Sequence, residues 1–446
     1  RVLRNKAIRI SATANVVAYG VSYRQVRHEA TLILPNRALG TSYRAMTYKS
    51  ENKSNRLWRS EFVVVAAGDT AKVEIAYTDS VRNGGGPYKL DTVSIPPNQV
   101  YQAQAARVSD DLAGSHIRSL NGKKFAVYAG NEWSTVICSP NSDPLFEVMY
   151  PTNTWGQSFL AIPTGSVNKD YIKVIAHEDS TNIYRNGVFM SNIDAGEFWD
   201  DTIQSTRYYT ADKPIQIGQF LVTGQNFCSA NSQTDPSMVM LNATEQMYLD
   251  TVTFFAVDTN QIDSHFVSII TRTNDTDKIF LDSVRIRDFT VFPTAQAYSY
   301  RFVTISPGRH TLETTGCGFQ AYSMGIGRAV SYAYAAGVTL LDLENSISFK
   351  NFYTGTDTIC QGDTVQFQTV IKGDPISFRW DFGDGSTDTV RNPIHSYTQT
   401  GRYQVTTEIV YQCLTDTLID TIEVPPPPII DLGPDTSICN RDTLEF

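Results

Sequence analysis

Charge is scarce in this 446-residue chain: Asp, Glu, Lys and Arg make up 19 % of it, and 46 acids against 37 bases leave a net charge of −9. Without clustered Lys and Arg there is no footprint for a phosphate backbone, which excludes nucleic acid as a partner class. Long apolar runs are also missing, and no stretch approaches the roughly 20 residues of a membrane-spanning helix. The six histidines, at 28, 116, 177, 265, 310 and 395, never fall at His-Glu-x-x-His or His-x3–5-His spacing, and no two cysteines form Cys-x-x-Cys. Neither a zinc protease nor a structural zinc site is written here, and no cofactor is implied. A Gly-x-Ser-x-Gly nucleophile elbow is absent. The glycines of Asn83-Gly84-Gly85-Gly86-Pro87 are followed by no Lys-Ser/Thr pair, so they read as a hairpin tip rather than a phosphate cradle. The chain opens at Arg1 without a signal peptide, so a removed leader or a fragment is expected.

What is present favours strands. Aromatics reach 11 %, with 23 Tyr and 22 Phe, and good helix signals are nearly absent. Ala71–Tyr77 alternates strictly between small or apolar and polar residues, the pattern of a strand with one wet face. Ala7–Val17 alternates through Ile8, Ile10, Ala12 and Ala14 and reads as another strand. Phe62-Val63-Val64-Val65-Ala66 is a short apolar run ended by Gly68-Asp69, consistent with a buried strand. Phe125–Asn131, Tyr171–Ala176, Ile215–Gly224 and Phe266–Thr271 repeat this vocabulary, which predicts an all-β chain of two or three stacked sandwich lobes. Expected divisions are a lobe over residues 1–110, further lobes over 111–349, a small module over 350–427, and a linker with the start of another module over 428–446.

The small module has the clearest landmark, Trp380-Asp381-Phe382-Gly383-Asp384-Gly385, followed by His395-Ser396-Tyr397 and Gly401-Arg402-Tyr403-Gln404-Val405. A buried Trp on a strand, an acidic-glycine turn and a Gly-x-Tyr-x-Val strand punctuate a small β-sandwich. These residues resemble the PKD domain, an immunoglobulin-like module of extracellular proteins. Behind it, Pro425–Pro428 is a stiff spacer. Ile359-Cys360-Gln361-Gly362-Asp363-Thr364 returns as Ile438-Cys439-Asn440-Arg441-Asp442-Thr443, an offset of 439 − 360 = 79 residues, so a further copy is expected to begin there.

A second resemblance spans about residues 1–345. In order, it rests on Leu34-Pro35 with Leu39-Gly40-Thr41, Ser60–Ala66, Asp111–Ile117, Ala126–Asn131, Tyr150-Pro151-Thr152-Asn153-Thr154-Trp155, Gly318–Gly325 and Ser331–Gly337. This series is similar to the N-terminal domain of IgGFc-binding protein and its bacterial relatives. The chain departs from that family in offering only Cys138 where a close cysteine pair is usual. The two resemblances together imply a secreted cell-surface protein of Bacteroidetes type, exported by the type 9 route, whose head precedes repeats.

Six cysteines remain to be placed. Cys360 and Cys413 bracket the PKD-like module and are expected to pair, closing 413 − 360 = 53 residues and contributing roughly 3–4 kcal/mol by restricting the unfolded chain. Cys138 and Cys228 each follow a strand ending at glycine and form the other expected pair. Cys317 is left either buried and free or exchanging roles with one of them. Cys439 belongs to the next module.

Candidate chemistry is sparse. Asp381-Phe382-Gly383 spells a kinase magnesium motif but lacks every companion motif. Asp381, Asp384 and Asp388 are carboxylates of the kind calcium takes, although their spacing fits a turn better than an EF-hand. Ser115 and His116 are adjacent, and on a strand they point to opposite faces, so they make no nucleophile–base pair. Asp110-Asp111 and Glu197 with Asp200-Asp201 read as turns, in which a glycosidase carboxylate pair could hide. Among five tryptophans, Trp199 is the candidate for an exposed aromatic that grips a sugar or a protein. The expected function is a non-enzymatic adhesive or structural module that meets a glycan, a protein on another cell, or copies of itself, with homo-oligomeric assembly open. The alternative is an accessory region of a secreted hydrolase.

Overall fold

The computed structural model describes the chain except residues 1, 5, 25–26, 50–57, 83–85, 88, 138–141, 165–168, 223–234, 260, 328–329, 344–345, 372–374, 412, 414 and 427–446. Cys138, Cys228 and Cys439, most of the 83–87 glycine loop and the 438–443 echo therefore lie outside the described residues. Among those described, strands dominate and helical structure is limited to short 3-10 turns. None is long and apolar enough to cross a membrane. The chain is all-β, built from stacked sandwiches, and divides into two compact units, Arg1–Leu343 and Glu344–Phe446.

The first unit is layered. A five-stranded sheet orders Val2–Arg4, Gln99–Gln104, Ser60–Ala66, Phe125–Ser134 and Asp143–Val148, taking strands from both sides of residue 110. It shares one core with the four-stranded sheet of Ser42–Arg44, His116–Ser119, Ala71–Ala76 and Leu90–Ile95, around Phe62, Val64, Val73, Ile75, Ile117 and Phe125. Strand Ala71–Ala76 has the alternating burial its sequence predicts. Residues 6–17, in contrast, form no strand despite their alternation: Ile8 is 90 % exposed and has no sheet neighbour to cover it. A period of two specifies a strand only where a partner covers one face.

A seven-stranded sheet follows, centred on the long strand Arg207–Leu221 and flanked by Asp170–Ala176 and Phe198–Ile203. Both of its faces are used. Ile175, Phe220, Val222, Met238 and Met240 join the first core, while Ile172, Val174, Ile217 and Val239 join a second. The five-stranded sheet containing Ile262–Arg272 closes that second core with Ile270, and its opposite side, Val267 and Ile269, meets a third sheet through Phe254 and Leu312. Burial on two sides explains why these strands read as continuous apolar runs.

The second unit pairs a sheet of Ser346–Asn351, Thr364–Val370 and Ile394–Ser396 with one of Thr387–Asp388, Ser377–Asp381, Gly401–Val410 and Thr415–Val424. Trp380 is fully buried against Phe367 and Phe382, and its indole N–H donates to the Val390 carbonyl at 3.0 Å. Gly383 takes φ +80°, and a Cβ there would lie 2.5 Å from the Gln404 carbonyl oxygen, so the turn requires glycine at that point.

The expected Cys360–Cys413 bridge is not formed. Cys360 is a free thiol, whereas Cys413 is disulfide-bonded. The hairpin explains this. Gly401 opposes Val424 at one end and Val410 opposes Thr415 at the other. Gln361 N–H donates to the Pro425 carbonyl at 3.3 Å, which places Cys360 at the first end, while Cys413 occupies the turn at the second. Ten residues of strand separate them by roughly 30 Å, against the ~7 Å that a disulfide spans between Cα atoms. Cys317 is disulfide-bonded rather than free.

Candidate functional site

A cleft of about 620 Å³ opens in the first unit where the first sandwich meets the seven-stranded sheet. The strand Asp170–Ala176 supplies its floor. Ile172, Val174 and Ala176 point into the second core, so the pleat turns Tyr171 and Lys173 the other way, toward the cleft. The neighbouring strand Phe198–Ile203 pairs with it in the register Lys173↔Asp200 and Ile175↔Phe198. Phe198 and Asp200 therefore share the face of Lys173. The opposite lip is made by two loops, one carrying Asp79 and the other Ser109, Asp111 and Ala113.

Lys173 is only 1 % exposed, and its ammonium donates to Asp111 Oδ2 at 2.6 Å. The same Nζ lies 3.9 Å from the centroid of the Phe198 ring and 5.6 Å from that of Tyr48, a cation–π cage closed by a carboxylate. Asp111 is held by the Thr47 hydroxyl and by the Ala113 N–H at 3.1 Å. Burial pushes the Asp111 carboxyl up, but Lys173 and these donors outweigh it and hold it below the usual carboxylate range. Asp200 goes the other way: the enclosing cleft walls push its carboxyl up, and Lys173 and the Tyr171 hydroxyl only partly offset that. Two carboxylates around one lysine thus hold protons with different affinity.

Two glycines bring the lips together. Gly114 and Gly196 both take positive φ, +84° and +85°, and a Cβ on Gly114 would stand 1.8 Å from the Gly196 carbonyl oxygen. Arg44 reaches across the same seam, donating to the Gly114 carbonyl at 3.2 Å and to the His177 carbonyl at 3.2 Å.

The residues singled out from sequence are distributed unevenly around this cleft. Trp199 is half-buried against the second core and meets Tyr209, its ring centroids 6.3 Å apart; its strand neighbours Phe198 and Asp200 face the cleft instead. Asp200-Asp201, read as a turn, is on a strand, and Asp201 faces inward to Arg185 and to the Tyr209 hydroxyl, each at 2.8 Å. Ser115 turns to Thr78 and His116 Nε2 to Ser42 Oγ at 2.9 Å, so the two adjacent residues share no bond. Asp381 Oδ1 accepts the Gly383 N–H at 2.9 Å, Asp384 accepts the Ser386 N–H and pairs with His395 at 2.8 Å, and Asp388 accepts the Val390 N–H at 3.1 Å. Each of these carboxylates caps its own turn within the second unit. Lys173 went unnoticed in the sequence; its signal is a lone lysine inside the apolar strand Tyr171-Ile172-Lys173-Val174-Ile175, where an unpaired charge would not be tolerated.

Among solved structures, the chain is similar to the beta-glucuronidase of Faecalibacterium prausnitzii at 9 % identity and a TM-score of 0.16, over 84 % of this chain and 47 % of that one. A β-glucuronidase from Ruminococcus gnavus gives 10 % and 0.17 over 86 % and 47 %. The tetra-tandem repeat in the extending region of a large adhesion protein gives 11 % and 0.14, over 81 % and 92 %. The chain spans about half the length of each glucuronidase. Similarity at this level transfers neither chemistry nor architecture. No curated protein matches the chain. Family models are more informative: the PKD domain matches residues 351–424, and the model of IgGFc binding protein matches residues 29–325, or 325 − 29 + 1 = 297 of the 446. Two thirds of the sequence, including every residue of the cleft, fall inside that match, and the chain therefore belongs to the IgGFc binding protein family, with a PKD domain behind its head.

Proposed function

We propose that this chain is an extracellular, non-enzymatic binding module, whose first unit grips a ligand and whose PKD domain is a spacer toward the rest of a repetitive cell-surface protein. The observation that carries this reading is the cleft itself. Among the described residues, an aromatic ring, carboxylates and a buried lysine converge there on open space, and concave sites with a few convergent polar groups are where ligands bind. The family assignment favours adhesion or scaffolding over catalysis, because neither matched model describes a catalytic domain. The disulfide bonds at Cys317 and Cys413 fit an oxidising, exported environment. Export by the type 9 route, a Bacteroidetes origin, and assembly into a homo-oligomeric appendage belong to this proposal. The alternative of an accessory region beside a secreted hydrolase shares the same binding head.

The test is to present the full chain to arrays of glycans and of extracellular host proteins and to measure its mass by light scattering. Specific capture by a glycan or protein supports the adhesive head, and a large closed assembly without capture supports a building block. A monomer that captures nothing contradicts the proposal.

A further inference from the structure

We infer that the cleft at Lys173, Phe198 and Asp200 is a binding site for an uncharged saccharide, an inference that rests on the adhesive reading above and narrows it to one ligand chemistry. The size is suitable: about 620 Å³ falls within the roughly 300–1,000 Å³ of small-molecule sites. Its lining contains four carboxylates, Asp79, Asp111, Glu197 and Asp200, against two lysines, Lys49 and Lys173. Ionised carboxylates only accept hydrogen bonds, so the cleft seeks a ligand rich in donors, and its excess of negative charge turns away sialic, uronic and sulfated groups.

Ammonium groups are donors too, and an acidic cage with aromatic walls would ordinarily hold one. Here the cage is already full. The Lys173 ammonium sits on Asp111 and over the Phe198 ring, so a second cation entering at that point would meet a like charge in a buried place. Hydroxyls remain as the donors that fit. Phe198 supplies the complementary feature: Lys173 covers one face of its ring, yet the residue is 38 % exposed, and the uncovered face is the one offered to the apolar side of a pyranose. Asp200, opposite Lys173 in the sheet, stands beside that face as an acceptor for ring hydroxyls. In this arrangement Lys173 is a positioning residue. It fixes the Phe198 ring and the Asp111 lip without touching the sugar.

The experiment is an array of neutral, sialylated, sulfated and uronic-acid glycans probed with the full chain, followed by calorimetry on the best neutral oligosaccharide. Phe198→Ala and Asp200→Asn should each weaken binding by about tenfold or more, the loss that removal of one good contact brings. Phe189→Ala, at the opposite edge of the same sheet, should leave it unchanged. Thermal melts of each variant separate lost binding from lost folding, and Phe198→Tyr, which keeps the ring, should restore affinity. Neutral-glycan binding that both cleft variants leave intact would overturn the site while sparing the adhesive head. Preference for anionic glycans, or capture of a lysine-rich peptide in place of sugars, would overturn the ligand class. Capture of a host protein alone would overturn the saccharide and keep the adhesive reading, and no capture of anything would remove both.

Discussion

The Lys173 ammonium and Asp111 Oδ2 lie 2.6 Å apart across the seam between the seven-stranded sheet and the first sandwich. Sixty-two positions separate them in the chain. The pair is an ion pair pinning that seam beside the Arg44 hydrogen bonds, and removing one half leaves the other charge buried. Asp111→Asn is therefore expected to destabilise the head by about 3–5 kcal/mol, and the double variant Asp111→Asn, Lys173→Met to recover much of that loss. Urea denaturation of the single and double variants measures both terms.

The paired glycines make a sharper steric test. Gly114 and Gly122 both have positive φ, +84° and +69°, but a Cβ at Gly122 meets nothing within 4 Å while one at Gly114 would collide with the Gly196 carbonyl. Gly122→Ala should cost only the backbone strain, about 1 kcal/mol. Gly114→Ala must also part the lips of the cleft and should cost well over twice as much by the same denaturation measurement.

Buried carboxyls beside the first core give the head an unusual dependence on pH. Burial pushes Glu147 up to about 8, with Thr31 and its own strand's N–H only partly opposing, and pushes Asp143 up to about 9, with Asp235 adding to the rise and the His28 N–H and Arg27 opposing it. Glu29, fully buried and near both, is raised as well. A carboxyl that is harder to ionise in the native state keeps its proton after the unfolded chain has lost its own. Between about 4.5 and about 8 the native state binds more protons through Glu147, so stability falls as pH rises across that window. The melting temperature should be higher at pH 5 than at pH 8, and Glu147→Gln should flatten the slope whatever its effect on absolute stability.

Thiol chemistry distinguishes Cys360 from Cys413 in the second unit. Alkylation of the folded chain without reductant, followed by peptide mapping, should label Cys360, and Cys413 should be labelled only after reduction. Cys360→Ser should leave the melting of this unit unchanged to within about 0.5 kcal/mol. Recovery of a disulfide-linked peptide joining the two would contradict the hairpin geometry.

Much of the fold was legible because its signals are local. Strict alternation over Ala71–Ala76 and the Trp380–Gly385 turn each depend on neighbours a few residues away, and both appear as read. Residues 6–17 show the limit: the same alternation without a partner strand yields exposed chain. The cleft was legible only in fragments. Asp111 and Asp200 stood out as acidic clusters, but what makes them a site is a lysine from a third segment, and chain order does not reveal that meeting. Trp199 drew attention by size, yet strand parity gives the open face to Phe198 and Asp200 on either side of it. The cysteines misled for a geometric reason, since spacing along the chain does not show that a ten-residue hairpin holds two of them apart.

If the head meets its ligand in this cleft, amide hydrogen exchange of the full chain with and without the bound ligand registers it. Slowed exchange is expected to be confined to residues 109–113, 171–173 and 196–200, with the PKD domain unchanged. Protection that leaves those segments untouched and appears elsewhere on the head, or on residues 351–424, would contradict it.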